Sequence, residues 1–496
     1  MMVTKDRSLS QSSEVLSAEQ RQRIPHVESG ERVVLCPPHI TTERALMRRI
    51  DARLLPVLCM LYLMAFLDRV NIGNAAVYGL QRDLRLVGDD FNVALTVFFV
   101  PYVLFEIPSN IVLKRLKPHF WLSICMFLFG LVTLLQGFVQ SFSGLIATRF
   151  FLGLAEAGVF PGCFYLISMW YRRSEAQKRY TLFFGSTQLA GAFGGLLASA
   201  IGNMNGLRGY SAWRWIFILE GLLTCVLSFA TYFLISDFPE EAKWLTEEER
   251  VYIKERLRAD QGDSKAERRT TYRDIVEVFK DYKIVLGGLM YFALVVPAYG
   301  LAYFSPTIIR TYGYSPISTQ LHSVPPFAVA FVFSVLIAFI SDKLQHRFVF
   351  ILIPLALGIS GTAILLRVHN NVDAQYGALF LLAMGIYAAM PVIICWFTMN
   401  LQGHHARSVG TAWQIGFGNL GGIVAPFAFL SRDAPYYRTG YALLMSMICL
   451  AVVSTAAYFL ALWRENQRPE RIAKEELTRP EHANGANLDG RLRHIL

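Results

Sequence analysis

Apolar stretches of about 20 residues recur along the whole chain of 496 residues. An α-helix needs about that length to cross roughly 30 Å of hydrocarbon, and the strict alternation of a membrane β-strand is absent. The sequence therefore predicts an all-α integral membrane protein with twelve transmembrane helices. The predicted spans are residues 54–74, 92–113, 120–140, 143–170, 180–202, 213–235, 284–304, 320–341, 348–367, 376–400, 408–430 and 440–463.

Composition and charge placement support a membrane protein. Hydrophobic residues make up 54% of the chain and charged residues only 17%, which is too apolar for a soluble protein of this length. The net charge of +10 does not indicate nucleic acid, because the basic residues gather in alternate short loops. By the positive-inside rule these loops and both termini are predicted to be cytoplasmic. The loop residues are Lys114, Arg115, Lys117, Arg172, Arg173, Lys178, Arg179, Lys343 and Arg347.

One long polar segment, residues 236–282, separates six predicted helices from six and carries charges of both signs. Within it, the acidic run after Thr246 predicts the start of a helix with a role in surface packing. The predicted organisation is a cytoplasmic tail at 1–50, six-helix bundles at 51–235 and 283–465, a cytoplasmic central loop at 236–282 and a cytoplasmic tail at 466–496.

The same glycine spacing occurs in the fifth and eleventh predicted helices, which hold corresponding places in the two halves. A duplicated structure suits an alternating-access transporter, in which two bundles rock about a site near the midplane. Tight packing of membrane helices explains the glycines equally well. They are Gly191, Gly194, Gly195, Gly418, Gly421 and Gly422.

Four charged residues lie inside predicted spans, where each costs roughly 3 kcal/mol on insertion scales. Asp68 and Arg69 lie in the first helix, and Arg149 and Glu156 lie about 10 Å apart on one face of the fourth. A cation in a dry cavity can hold a carboxylate, and a buried carboxyl group can bind and release a proton. We therefore predict that they serve transport; the alternative is that they only neutralise one another as interhelical salt bridges.

Other polar residues at membrane depth give weaker indications. Tyr102, Gln188 and Asn419 are predicted to line a substrate cavity, whereas Asn71 and Gln414 are weaker candidates. His404 and His405 fall in a predicted cytoplasmic loop and are interpreted as solvated. No metal site or cofactor is assigned. The chain has no phosphate-binding loop, which disfavours ATP-driven transport, and no cluster of catalytic groups, so it is not predicted to be an enzyme.

Several motifs give the chain a resemblance to the major facilitator superfamily over about residues 50–465. Within the superfamily it resembles the anion:cation symporter branch and the fungal allantoate permease group. The motifs are Leu67-Asp-Arg-Val-Asn-Ile-Gly-Asn-Ala75, Glu106-Ile-Pro-Ser-Asn110 with Lys114-Arg115, Arg149-Phe-Phe-Leu-Gly-Leu-Ala-Glu-Ala-Gly-Val-Phe-Pro161 and Ser168-Met-Trp-Tyr-Arg-Arg173.

The resemblance implies roles for the intramembrane charges. In proton-coupled members of the branch, acids matching Asp68 and Glu156 take up protons, and an arginine matching Arg69 binds the carboxylate of the substrate, while Arg149 matches the arginine of helix 4. The superfamily's glycine and aspartate signature is missing after helix 2, as is typical of the branch. A trace remains after helix 8, where Asp342 is predicted to act as a gating contact.

The predicted function is proton-coupled import of a small carboxylate, such as nicotinate, pantothenate or allantoate, across the plasma membrane. The expected partners are that substrate, protons and the lipid bilayer, and the chain is expected to work as a monomer. Two alternatives stay open. One is export of an acidic metabolite; the other, which the presence of all four charged residues disfavours, is a nutrient sensor that no longer transports.

Overall fold

The computed structural model describes residues 43–261, 272–344, 346–401 and 404–477, and this part of the chain contains helices and no strand. Within these described ranges, eleven helices are long and apolar enough to cross a membrane. We number the crossing segments α1 to α12. Their bounds are Glu43–Val77, Asp90–Leu113, Pro118–Gln136, Phe142–Trp170, Arg173–Gly202, Ala212–Leu234, Tyr282–Arg310, Pro316–Leu344, Arg347–Arg367, Val372–Asn400, His404–Asn419 with its continuation, and Arg438–Leu477.

The segment α11 differs from the single helix predicted over residues 408–430. Its helix ends at Asn419, and one helical turn (Gly421–Val424) and a 3₁₀ turn (Ala425–Ala428) complete the crossing. Glycine weakens a helix and proline cannot donate the backbone hydrogen bond that continues it, so Gly421, Gly422 and Pro426 explain the break. The all-α membrane fold is confirmed, and the broken segment α11 agrees with the twelfth crossing that the sequence predicts, but the regularity expected of this helix is wrong.

The two halves, α1–α6 and α7–α12, meet along four pairs of segments. Helix α5 packs against α8 and α10, α2 against α11, and α1 against α7. At Gly73 of α1 an added Cβ atom would lie 2.2 Å from the carbonyl oxygen of Tyr303 in α7, far inside van der Waals contact. Glycine is therefore required for α1 and α7 to approach this closely, and the site described below lies next to this contact.

At one end of the bundle, hydrogen bonds join the two halves. We call the end that carries Glu43 and the basic loops the basic face, and the other end the opposite face. At the opposite face Asn92 Nδ2 donates to the carbonyl oxygen of Pro426 at 2.5 Å, and Gln320 Nε2 donates to that of Asn74 at 3.3 Å. Each pair joins one half to the other, so the space between the halves is covered on this side.

The central segment forms two helices, and each packs against a different half. The first, Glu247–Gln261, begins with a capping box in which the Glu249 amide donates to Thr246 Oγ1 and the Thr246 amide donates to Glu249 Oε2. This confirms the helix start predicted after Thr246. The second, Tyr272–Phe279, packs against α11 and α7, where the rings of Phe279 and Trp413 meet edge to face.

Arg256 fastens the helix Glu247–Gln261 to the N-terminal half. Its guanidinium, 2% exposed, is 2.8 Å from Glu43 in α1 and 2.5 Å from Glu175 in α5. Replacing Arg256 by Met would leave two carboxylates without their partner. Because both carboxylates are partly exposed, we expect a loss of about 1–2 kcal/mol rather than the 3–5 kcal/mol of a fully buried pair.

Thermal unfolding of the detergent-purified protein measures this loss. Arg256→Met should lower the Tm by a few degrees. The matched control is Lys254→Met on the same helix, because Lys254 is exposed and reaches Glu240 only at 3.9 Å. Equal effects of the two variants would contradict the fastening role of Arg256.

Candidate functional site

A small cavity lies between the halves near the middle of the bundle, and the space between its lining residues, part of which is open to solvent, is about 440 Å³. Eight of its fourteen lining residues are aromatic; α1 and α7 contribute two each, and α2, α4, α5 and α10 contribute one each. Arg69 is the only charged residue among the fourteen. The cavity thus combines flat apolar walls with a single cation. The aromatic residues include Tyr62, Phe66, Phe160, Tyr291 and Tyr387.

The guanidinium of Arg69 is bound from both helix bundles. Its Nε and Nη2 donate to Glu156 Oε2 of α4 at 2.9 and 2.5 Å, and its Nη1 donates to the Tyr299 hydroxyl of α7. The rings of Phe98 and Tyr102 lie 4.8 and 4.7 Å from its central carbon, within cation–π range. Arg69 therefore links Glu156 of the N-terminal half to Tyr299 of the C-terminal half.

Three of the residues predicted to bind substrate line this cavity together: Arg69, Tyr102 and Asn419. Asn419 Nδ2 also donates across the halves to Glu106 Oε2 at 3.3 Å. Gln188 is not among the lining residues, and its amide donates to the carbonyl oxygen of Tyr387 at 3.4 Å. Of the five residues predicted to bind substrate, three therefore line the cavity, and Gln188 and Arg149 do not.

Asp68 and Arg149 lie off the cavity. Arg149 Nη1 donates to the backbone carbonyl oxygen of Arg69 at 3.1 Å, and its Nε and Nη2 have no hydrogen-bond partner in the described part of the chain. The Asp68 carboxylate is fully buried on another side of α1, where it faces the hydroxyl groups of Thr133 in α3 and Thr224 in α6. Of the four predicted charges, only Arg69 and Glu156 form an ion pair.

Two further buried acids were not selected from the sequence. Glu220 of α6 is 2% exposed, and Asn71 of α1 donates to its Oε2. Glu106 of α2 is 7% exposed and accepts from Asn419. Both lie inside predicted spans, so the rule that marked Asp68 and Glu156, an ionisable residue at membrane depth, also identifies these two.

The remaining sequence candidates lie elsewhere. Asp342 forms an ion pair with Arg347 at 2.8 Å on the basic face, within the C-terminal half, and its gating role stays a prediction. Gln414 donates to the carbonyl oxygen of Gly287 at 3.4 Å. The side chains of His404 and His405 fall outside the described residues. Among the residues that the structure describes, no group of three or more His, Cys, Asp or Glu has a metal-binding arrangement.

Comparison with known proteins places these features in a family. The sequence profile described as Major Facilitator Superfamily matches residues 58–426. The "MFS-type transporter cnsO" of Penicillium expansum is 33% identical over 456 residues, covering 88% of this chain and 87% of that protein. The "Uncharacterized transporter C1002.16c" of Schizosaccharomyces pombe is 34% identical and covers 87% of each chain.

Solved structures show the same fold. A bacterial homolog of the human lysosomal transporter Spinster, described as inward-facing and unoccupied, superposes with a TM-score of 0.62 at 16% sequence identity. The match covers 85% of this chain and 98% of the bacterial one. At this identity the likeness extends to the arrangement of the helices.

Proposed function

Because the chain belongs to the Major Facilitator Superfamily of membrane transporters, we propose that it is a secondary active symporter that carries a small organic anion together with a proton. We place it in the allantoate permease group of the anion:cation symporters, in the plasma membrane, with the basic face and both termini in the cytoplasm. The cavity and its charged residues come from one chain, so we propose that it works as a monomer.

The observation that supports this proposal is the pairing of Arg69 with Glu156. A carboxylate entering the cavity needs the same guanidinium donors that Glu156 Oε2 now accepts. With Glu156 ionised, the pair is neutral, and an added anion would leave one negative charge unbalanced in a buried site. A proton on Glu156 removes that charge and releases Arg69. Anion and proton would therefore bind together.

The cavity lining favours a particular class of cargo, by which we mean the carried solute. One guanidinium can balance one carboxylate, and no second cation is present among the lining residues. The aromatic walls can stack on a flat or apolar body through offset ring contacts. We therefore propose a monocarboxylate with a small ring, of which nicotinate is an example, ahead of dicarboxylates or long polar anions.

The first test is uptake of labelled carboxylates into permease-deficient yeast that express the chain, at acidic and neutral outer pH. The panel holds nicotinate, pantothenate, allantoate, benzoate and succinate. Accumulation of a ring monocarboxylate that is stronger at acidic pH and absent from cells with an empty vector supports the proposal. Preference for succinate would contradict the assigned cargo class, and accumulation that is independent of pH would contradict proton coupling.

Net direction follows the gradients of the cargo and the proton, so the same pairing can operate in an exporter of an acidic metabolite. Preloaded cells separate the two directions. If labelled carboxylates leave preloaded cells faster than they leave control cells, while uptake of the whole panel equals the control, the chain is an exporter.

A further inference from the structure

We propose that Arg44, Arg48 and Lys178 form a surface that attracts anions at the mouth of the cavity, on the basic face. We call these three residues the mouth surface. A carboxylate cargo would contact this surface before it reaches Arg69, or after it leaves Arg69. The proposal rests on the proposed function because it takes the cargo to be an anion. Its test needs no transport, however, so the two can fail separately.

Arg44 and Arg48 lie on the side of α1 that lines the cavity. Helix α1 is continuous from Glu43 to Val77, and 18 residues of an α-helix make about five full turns. Arg44 comes 18 residues before Tyr62, and Arg48 comes 18 residues before Phe66. Both aromatic residues line the cavity. The two arginines therefore point in the direction of the cavity wall, roughly 27 Å nearer to the basic face.

The cavity opens toward the basic face. At the opposite face, the hydrogen bonds of Asn92 and Gln320 join the halves and cover the space between them. Part of the cavity is open to solvent, so its mouth lies at the other end. Lys178 of α5 is exposed there, and its Nζ lies 5.6 Å from the centre of the Phe339 ring in α8. Lys178 is therefore placed where the two halves face each other.

The acids nearest to the mouth surface are already bound to other cations. Glu43 is 2.8 Å from Arg256, and the two oxygens of Asp51 accept from Arg179 at 2.7 and 2.9 Å. The three residues of the mouth surface are all exposed, and none of them forms an ion pair with a described residue. Their positive charges therefore remain unbalanced by the protein.

Helices α4, α7 and α10 add no acid on this side of the cavity. Residues 157–170 of α4 and 376–400 of α10 include no charged residue, and the single charged residue among 282–305 of α7 is Lys283. A cleft lined by one sign of charge raises the local concentration of the opposite ion and speeds its association. An anion that moves between the basic face and Arg69 therefore passes a net positive surface.

Anionic lipid is the main alternative partner, because basic residues just outside a membrane attract such lipids. The surroundings of α1 favour the cargo instead. On one flank Asp51 and Arg179 hold α1 to α5, and on the other the guanidinium of Arg53 lies 5.1 Å from the centre of the Trp244 ring. Arg44 lies between these flanks on the helix surface, on the side that continues into the cavity wall.

The reaction rate of an introduced thiol measures the electrostatic potential at the mouth surface. Ala52, exposed one turn after Arg48, is replaced by Cys in the full chain held in phosphatidylcholine nanodiscs. Reaction with an anionic and with a cationic methanethiosulfonate is followed on the peptide that carries this cysteine, by mass spectrometry. The control is Val251→Cys, an exposed position on the helix Glu247–Gln261 and outside the mouth surface.

The ratio of the anionic to the cationic rate should be at least about fivefold higher at Ala52→Cys than at Val251→Cys at low ionic strength. The difference should disappear near 1 M salt, where charges are screened beyond about 3 Å. Equal ratios at the two positions at low ionic strength would overturn the proposal.

Removal of the arginines tests which charges produce the ratio. Arg44→Gln combined with Arg48→Gln should lower the ratio at Ala52→Cys at least about twofold. The matched control is Arg82→Gln combined with Arg432→Gln, which removes two exposed arginines from the opposite face and should leave the ratio unchanged. If the two double variants give the same ratio, the mouth surface does not attract the anionic reagent.

Benzoate and its neutral counterpart benzamide test whether a carboxylate occupies the surface. At ionic strength matched with chloride, benzoate should slow the reaction of both reagents at Ala52→Cys, and benzamide should not. Equal protection by the two compounds would overturn the proposal. So would loss of the anionic preference when phosphatidylserine replaces part of the phosphatidylcholine while benzoate gives no protection, because that result assigns the surface to lipid.

Discussion

Arg69→Lys is expected to raise the half-saturation concentration for the cargo roughly 10- to 100-fold. Lysine keeps the positive charge but lacks the planar fork that holds a carboxylate through two donors. In the structure Arg69 uses Nε and Nη2 together on Glu156 Oε2, and Nη1 on Tyr299. An ammonium in its place would lose at least one charge-assisted hydrogen bond, worth about 1.5–3 kcal/mol.

The measurement is uptake in yeast of the carboxylate that the panel identifies, at several concentrations and acidic outer pH. Arg367→Lys is the matched control, because it makes the same chemical change away from the cavity. Arg367 is exposed and lies at the end of α9. Its half-saturation should equal that of the unaltered protein. An unchanged half-saturation in Arg69→Lys as well would show that Arg69 does not bind the cargo carboxylate.

Glu156→Gln is expected to abolish concentrative uptake while exchange of labelled for unlabelled cargo continues. Glutamine has nearly the shape of a protonated glutamic acid, so the variant resembles the state in which Arg69 is already released. It can bind the anion at any pH but has no group at this position to carry the proton. Uptake driven by a proton gradient should fall to the background level, and the pH dependence of exchange should flatten.

Proteoliposomes allow both transport modes to be measured on the same preparation. Glu156→Asp provides the comparison, since it keeps a carboxyl group and should recover part of the concentrative uptake. The exposed Glu277→Gln, on the central segment, controls for loss of one negative charge far from the cavity. If Glu156→Gln loses exchange as well as accumulation, Glu156 has a binding or structural role in place of proton coupling.

Helix positions followed from the sequence more readily than the directions of side chains. Apolar length locates the crossings because lipid imposes one requirement on all of them. Asp68 and Arg69 are adjacent in sequence, and the pattern suggested a joint role at one cavity. Successive residues on an α-helix point about 100° apart, however, so Arg69 faces the cavity while Asp68 faces α3 and α6. Only the packing of neighbouring helices decides which of these directions is the cavity.

Glu220 illustrates a second limit. Like Glu156, it is an ionisable residue inside a predicted membrane span. No motif and no nearby basic residue in the sequence, however, indicated a role for it. Its partner Asn71 is 149 positions away in the chain. Contacts between distant helices of this kind depend on the complete bundle and cannot be predicted from spacing within one helix.

The glycines that suggested an internal repeat lie at close contacts between helices. An added Cβ atom at Gly191 would lie 2.8 Å from the Phe327 ring of α8, and one at Gly422 would lie 2.1 Å from the Phe99 ring of α2. Both contacts join the halves. Tight packing therefore explains these positions, and it does so at equivalent interfaces, α5 with α8 and α11 with α2, as a duplicated architecture requires.

The two helices of the central segment offer a way to observe the transport cycle. Since Glu247–Gln261 is fixed to the N-terminal half and Tyr272–Phe279 to the C-terminal half, any rocking of the bundles changes the separation of the two helices. Their exposed residues Lys254 and Glu277 can carry a pair of fluorescent or spin labels outside the membrane. The distance between the two labels would report opening and closing of the bundles in real time, without any label in the cavity.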